Sequence, residues 1–397
     1  MFLSRASLFA AAAFAMAAAH AATPFIATTP SIPSYGQSVT LEVRNFDYPF
    51  YLPATRYSIQ DNVIDIEYEY VTDGWAISAP DVGPTPVDLG ELPPGNYTVN
   101  ARLYDIANPN AAPQLITGNV PVLAPPAWGI YPVPRNPDAY AATWATVRSA
   151  VYYDAATMRA TIAGNVVRVD FDYYGNAPTS GAAPAGATSY GSVKIAGLAP
   201  GHYRLEGWGR PKTGGDSALY FTSDIAVGSM SPVVEYYAAP IDHYFITAGP
   251  SDIAALDPGT QTWKRSGQGF KAWLRQSDAP PGAVPVCRFY ARGPNSHFYT
   301  GSASDCEWLK GLEAQGRADA ATKNVAFLGW QFEQIAFYAL VPTNGQCPGD
   351  TIPVYRAYNQ RAAFNDSNHR YMSDSTMHWA QLASGWGDEG VQFCSPL

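Results

Sequence analysis

The stretch Ser296-His297-Phe298-Tyr299-Thr300, followed by Trp330 and Phe337, decides the fold because the chain contains it twice more in altered form. Asp242-His243-Tyr244-Phe245-Ile246-Thr247 precedes Trp263 and Phe270, and Asn368-His369-Arg370-Tyr371-Met372 precedes Trp386 and Phe393. Just upstream lie Glu235-Tyr236-Tyr237, Arg288-Phe289-Tyr290 and Arg356-Ala357-Tyr358. Trp to Phe is seven residues each time, which marks three copies at about residues 233–275, 284–340 and 352–397. Each copy opens with two aromatic strands. Ser304-Asp305-Cys306-Glu307 then reads as a capping box for a helix with Leu309 and Leu312 on its apolar face and Gly316 at its end; Ser373 or Asp374 to Gly385 frames the third copy's helix. The unit is β-β-α-β. Modules this small bury their apolar faces only against one another, so one compact three-repeat domain is expected over 233–397.

Working outward, residues 22–125 and 126–230 also repeat one another. Asn62-Val63-Ile64-Asp65-Ile66-Glu67-Tyr68-Glu69-Tyr70 matches Asn165-Val166-Val167-Arg168-Val169-Asp170-Phe171-Asp172-Tyr173, both alternating with period two as half-buried strands do. Leu92-Pro93-Pro94-Gly95-Asn96-Tyr97 matches Leu198-Ala199-Pro200-Gly201-His202-Tyr203. This turn resembles the tyrosine corner of immunoglobulin-like sandwiches, with Tyr97 and Tyr203 pinning backbone, which implies two immunoglobulin-like β-sandwiches. Pro125, Pro126, Pro132 and Pro134 read as a semi-rigid linker and Gly175 to Gly191 as a mobile loop. Asp65, Glu67, Glu69, Asp170 and Asp172 are expected on the solvated sheet face. The fold class is thus mainly β with short helices.

The Tyr-Tyr, Asp-His-Tyr-Phe, Asn-Ser-His-Phe-Tyr-Thr and Gly-Trp-x-x-Glu-Gly runs resemble a C-terminal tandem-repeat family of unknown function in secreted bacterial proteins, over about 165 residues. Members are often joined to exported peptidases and glycan-degrading enzymes, so the resemblance implies an accessory binding or targeting role and carries over no activity. Copy one departs from it in lacking cysteine and in holding Ser266 where the others hold Glu333 and Glu389. Matched positions pair Arg288 with Glu333 and Arg356 with Glu389, and a swapped pair of Glu235 with Arg265 is expected in copy one.

Arg5 ahead of the apolar run Leu8 to Ala19, with Ala19 and Ala21 as small residues, reads as a signal peptide over 1–21 cleaved after Ala21, and hence as export, extracellular or periplasmic. That run is too short to span a bilayer, which takes about 20 apolar residues. A net charge of −9 with no basic cluster argues against nucleic acid and anionic lipid as partners. Apolar residues at 47% exclude global disorder, while 34 Gly and 34 Pro in 397 residues disfavour an all-helical bundle. Cys287, Cys306, Cys347 and Cys394 form an even set suited to two disulfides in an exported protein. Of three connectivities, Cys287 with Cys306 and Cys347 with Cys394 keeps each bridge within one repeat.

His243, His297 and His369 are matched between copies, and the reading preferred for them is structural, ahead of ligand contact and of a three-histidine metal site; no metal or other cofactor is expected. Sugar rings stack on aromatic faces and bond to amides, carboxylates and imidazoles. Asp242, His243, Asn295, His297, Tyr299, Asn368, His369 and Tyr371 are accordingly the candidate ligand-binding residues. Zinc-protease, nucleophile-elbow, phosphate-loop and dinucleotide signatures are absent from the sequence, and no catalytic residue is assigned. The expected function is a secreted, non-catalytic protein binding extracellular glycan or cell-envelope polymer. A structural envelope or adhesion protein is the alternative, and a secreted hydrolase a third; the oligomeric state is left open.

Overall fold

The computed structural model describes residues 23–46, 50, 55–70, 86–174, 183–258 and 262–397. The signal segment lies outside the described residues, as do residues 175–182 of the expected loop. That loop is shorter than Gly175 to Gly191, because Ala187 onward already belongs to a strand. The fold is mainly β, with three α-helices among the described residues, none long and apolar enough to cross a membrane.

The first unit contains β1 (Phe25–Thr29), β2 (Ser38–Arg44), β3 (Arg56–Gln60), β4 (Val63–Tyr70), β5 (Val87–Glu91), β6 (Gly95–Asp105) and β7 (Gln114–Val122). β1-β2-β5 form one sheet and β3-β4-β6-β7 lie side by side in another, and both feed one buried cluster that includes Leu41, Ile64, Tyr68 and Val99. The second unit has β8 (Gly129–Val133), β9 (Thr143–Ala163), β10 (Val166–Tyr173), β11 (Ala187–Ile195), β12 (Gly201–Pro211) and β13 (Ala218–Val227). Here the single long β9 pairs with β8 and β11 through its first half and with β10 through its second, taking the places of β2 and β3.

The internal duplication is preserved in register. Thr98 N–H donates to Asn62 O and Arg204 N–H to Asn165 O, both at 2.8 Å. The Tyr97 hydroxyl donates to Pro93 O at 2.8 Å and that of Tyr203 to Ala199 O at 3.1 Å, the same corner twice. β4 pairs parallel with β6, and β10 with β12. Each sandwich-like unit thus holds one parallel pair among named strand pairs that are otherwise antiparallel. The reason is local: between β4 and β6 the chain crosses to the other sheet to form β5, so both flanking strands run the same way.

The third region repeats strand, strand, helix, strand. Copy one is β14 (Ser231–Ala238), β15 (His243–Thr247), α1 (Pro250–Leu256) and β16 (Lys264–Ala272); copy two is β17 (Val284–Ala291), β18 (Ser296–Thr300), α2 (Ala303–Lys323) and β19 (Trp330–Ala339); copy three is β20 (Thr351–Tyr358), β21 (His369–Met372), α3 (Ser375–Ala383) and β22 (Gly387–Pro396). The first strand of each copy sits between its other two. The Phe of each Trp-to-Phe spacing meets its counterparts: Phe270, Phe337 and Phe393 lie with ring centroids 5.7, 5.8 and 6.3 Å apart inside one cluster drawn from all three copies. Bridges join Cys287 to Cys306 and Cys347 to Cys394.

Several expectations need correcting. The α2 cap is Ser302, which accepts from Asp305 N–H at 3.2 Å, rather than Ser304. α2 runs through Gly316 and ends at Asn324 in the left-handed region; Gly316 serves packing, since a Cβ there would sit 2.4 Å from the Phe327 ring. Leu312 faces solvent. Glu67 is not solvated either. β16 pairs with β3 at Arg265 and Tyr57, extending the sheet to seven strands, β15-β14-β16-β3-β4-β6-β7. Lys264 thereby reaches Glu67 at 2.5 Å, beside Arg56 at 2.6 Å. Burial pushes the Glu67 carboxyl up, but Lys264 and Arg56 outweigh it and hold it below the usual range. At Glu69, with Arg56 alone, burial wins and the carboxyl is raised.

Candidate functional site

Cross-strand register sets which residues of the three copies are equivalent. Tyr237 faces Tyr244, Tyr290 faces His297, and Tyr358 faces His369. The rings of these pairs stack or tilt together at 4.7, 4.9 and 4.8 Å. Tyr244, His297 and His369 are therefore the matched set. His243 lies one position earlier, level with Ser296 and Asn368, which corrects the expectation of three equivalent histidines. A one-residue slip reverses the face of a strand residue, and matching by letter cannot detect it.

The next residue along, Phe245, Phe298 or Arg370, packs on the following copy. Phe245 contacts His297 at 4.6 Å, Phe298 contacts His369 at 5.0 Å, and the Arg370 guanidinium lies 4.0 Å from the Tyr244 ring centre. Three contacts of one kind close the copies into a ring. Arg288 and Arg356 also lie over Phe245 and Phe298, while salt-bridging Glu333 at 2.8 Å and Glu389 at 2.5 Å as expected. Copy one is different. Glu235 binds Arg370 of copy three at 2.8 and 3.1 Å with both side chains fully buried, and accepts from Ser266 Oγ at 2.6 Å. Arg265 binds Asp257 instead, so the expected Glu235–Arg265 pair does not form. The cation has moved from the first strand to the second, where an uncharged ring would have left Glu235 buried and unpaired.

The candidate ligand residues fall into two groups. Tyr299 and Tyr371 are core residues with no face to offer a sugar, which removes them as stacking platforms: Tyr371 Oη donates to Tyr299 O at 2.9 Å, and Tyr299 Oη donates to Ile246 O. His369 is buried as a neutral imidazole, its pKa lowered to about 3 by burial and by Arg356, so its 3.6 Å approach to Glu389 is not an ion pair. His297 is partly exposed, 3.4 Å from Glu333. Burial pushes the Glu333 carboxyl up, but His297 and Arg288 outweigh it and hold it low.

Asp242, His243, Asn295 and Asn368 do converge, at one end of the ring. Asn368 is fully buried: its Oδ1 accepts from Tyr244 N–H at 2.9 Å, and its Nδ2 donates to Ser296 Oγ at 3.1 Å. His243 bridges Asn295 O at 2.9 Å and Asp366 Oδ1 at 2.7 Å. Asp366 is held in addition by Arg361 and Asn359. Asp242, left-handed at φ 53°, accepts from the Tyr237 hydroxyl, and burial raises its carboxyl. These groups form a hydrogen-bonded plug. Among the described residues, no three His, Cys, Asp or Glu side chains gather as a metal-holding group.

Beside the plug, between copies two and three, an open groove of about 390 Å³ is lined by Pro294, Leu328, half-buried Trp330, Ala362, Asn365 and Ser367. Asn365 is fixed by donating to Gly293 O at 3.0 Å. Motif matching does not single out Asp366, Asn365 or Ser367; the signal was the polar run Asn365-Asp366-Ser367-Asn368 ahead of the strand.

The family described as domain of unknown function (DUF5648) matches residues 232–396, which is the whole three-copy region. No curated protein and no solved structure matches the chain.

Proposed function

We propose that the chain is an exported, non-catalytic accessory protein whose three-copy ring binds an extracellular glycan or cell-envelope polymer in the groove between copies two and three. The observation that carries this reading is the pairing of an accessible Trp330 face with Asn365 and Ser367 next to a rigid polar plug, the combination of apolar platform and oriented hydrogen-bonding groups that sugars require. The two disulfides and the signal-like start fit an oxidising compartment. On this reading the units 22–125 and 126–230 are immunoglobulin-like supports for the domain 233–397, in keeping with their paired tyrosine corners. The supports dock rather than dangle: Tyr35 Oη donates to Pro132 O, and Tyr140 Oη to Asp278 Oδ2.

The test is a glycan array probed with the full chain and with Trp330→Ala. The expected outcome is a defined glycan class whose signal drops about tenfold or more in the variant, as loss of a stacking platform implies. A blank array from folded protein favours the structural envelope or adhesion role, which gains support from the burial of Tyr299, Tyr371 and Asn368.

A further inference from the structure

The helices of the three copies differ in length: α1 has 7 residues, α2 has 21 and α3 has 9. One side of α2 packs on β18 and β19 and buries Cys306, Leu309 and Ala320. At 3.6 residues per turn the opposite side carries Trp308, Gly311, Gln315, Ala318 and Thr322, all exposed, with Leu312 beside them. Trp308 is 64% and Leu312 46% exposed, and the strip from Gly311 through Ala318 to Thr322 bears no charge, although the outer side of a surface helix ordinarily does. Gly311 is the informative residue. Glycine inside an exposed helix costs up to about 1 kcal/mol relative to alanine. A Cβ at Gly311 would meet no atom of this chain within 4 Å, whereas one at Gly316 would strike Phe327. The chain's own packing accounts for Gly316 and not for Gly311; close approach of a second backbone does.

Charge indicates which backbone that is. Along α2, Glu307 pairs with Lys310 and Glu313 with Arg317, each at 2.8 Å, and Gln315 donates to Asp319 at 2.7 Å. Asp305 in the first turn and Lys323 in the last form no ion pair among the described residues. Opposite charges at the two ends of one smooth helix complement a second copy of that helix laid antiparallel. Centring the pair on Ala314 sets Asp305 level with Lys323 of the second copy. It also brings Gly311 opposite Ala318 within one residue, and lays each Trp308 over the uncharged turn between Ala318 and Thr322. We propose that the outer face of α2 is a self-association surface on which two copies of the chain pair antiparallel, α2 against α2. A helix of this length spans about 30 Å. One face of it buries less than the roughly 800 Å² per partner of a standard interface, so a Kd on the order of 10 µM is expected.

The test is sedimentation velocity on the full chain from about 1 to about 100 µM at physiological salt, where a monomer–dimer equilibrium is expected. Ala318→Glu, which sets an unpaired carboxylate against Gly311 of the second copy, should weaken the dimer about tenfold or more, and Trp308→Ala should do the same. Asp305→Lys and Lys323→Glu should each weaken it several-fold, and the two together should restore it. All four positions are exposed, so circular dichroism should show each variant folded. A chain that stays monomeric at about 100 µM, a dimer indifferent to Ala318→Glu, or a double charge swap no tighter than either single change overturns the proposal. Loss of glycan-array signal on Trp308→Ala in a monomeric chain also overturns it, by assigning the face to a glycan.

Discussion

Copies two and three each carry arginine on the first strand and glutamate on the third, whereas copy one carries Glu235 and Ser266 there and takes its cation from Arg370 of copy three. The strand-to-helix contact varies in the same way. Cys287 and Cys306 are bonded in copy two; the matched residues are Val234 and Ile253, both buried in one cluster, in copy one, and Tyr355 stacked on His378 at 4.5 Å in copy three. A disulfide, an apolar pair and a ring stack thus occupy one site. The ring constrains volume, charge balance and register at each position, and leaves the chemical means open.

The largest test of that comparison is at Arg370. Arg370→Ala should cost about 3–5 kcal/mol because it strands Glu235 in the core. Arg356→Ala, whose partner Glu389 stays within reach of water, should cost about 1–2 kcal/mol. Glu235→Leu combined with Arg370→Met should recover most of the loss, and equal losses for the two arginines in urea unfolding would break the distinction between the copies.

Next in size is the staple. Removing the 19-residue loop closure with Cys287→Ala and Cys306→Ala should cost about 3 kcal/mol. Installing copy one's residues instead, Cys287→Val with Cys306→Ile, should return about 1 kcal/mol or more of that through refilled apolar volume. Thermal unfolding of the two double variants decides whether the apolar pair is a working substitute.

The smallest effect separates His369 from its matched Tyr244, which does not titrate near neutrality. His369 is neutral when folded, with a pKa of about 3, and protonates near 6.5 when unfolded. Below pH 6.5 the unfolded chain binds the extra proton, so stability should fall by up to about 1.4 kcal/mol per pH unit as pH drops from 6.5 towards 3. Between pH 6.5 and 5 the low-lying Glu67 and Glu333 remain ionised. His369→Gln should flatten the slope in that window, and an unchanged slope assigns it elsewhere.

Much of the architecture is legible in local text. The seven-residue Trp-to-Phe spacing marks three central phenylalanines, the Leu-x-Pro-Gly-x-Tyr turns mark Tyr97 and Tyr203, and confinement to one repeat selects the disulfides. The candidate site is less legible. Tyr299 and Tyr371 read as platforms because an aromatic in a strand looks the same whether its ring faces core or solvent. His243 aligns with His297 by letter, although its partner across the sheet is Ala238 and not a tyrosine.

The sequence by itself determined the repeats, the strand periodicity, the even cysteine count and the charge balance, since each depends on residues near one another or on simple counting. Only the tertiary structure decided that Glu235 belongs with Arg370, that β3 completes copy one's sheet, and that copy three's strands remain a separate three-stranded sheet. Those outcomes depend on register and on which surfaces meet across more than a hundred residues of chain, where alternation of period two permits neighbouring alignments and packing selects one.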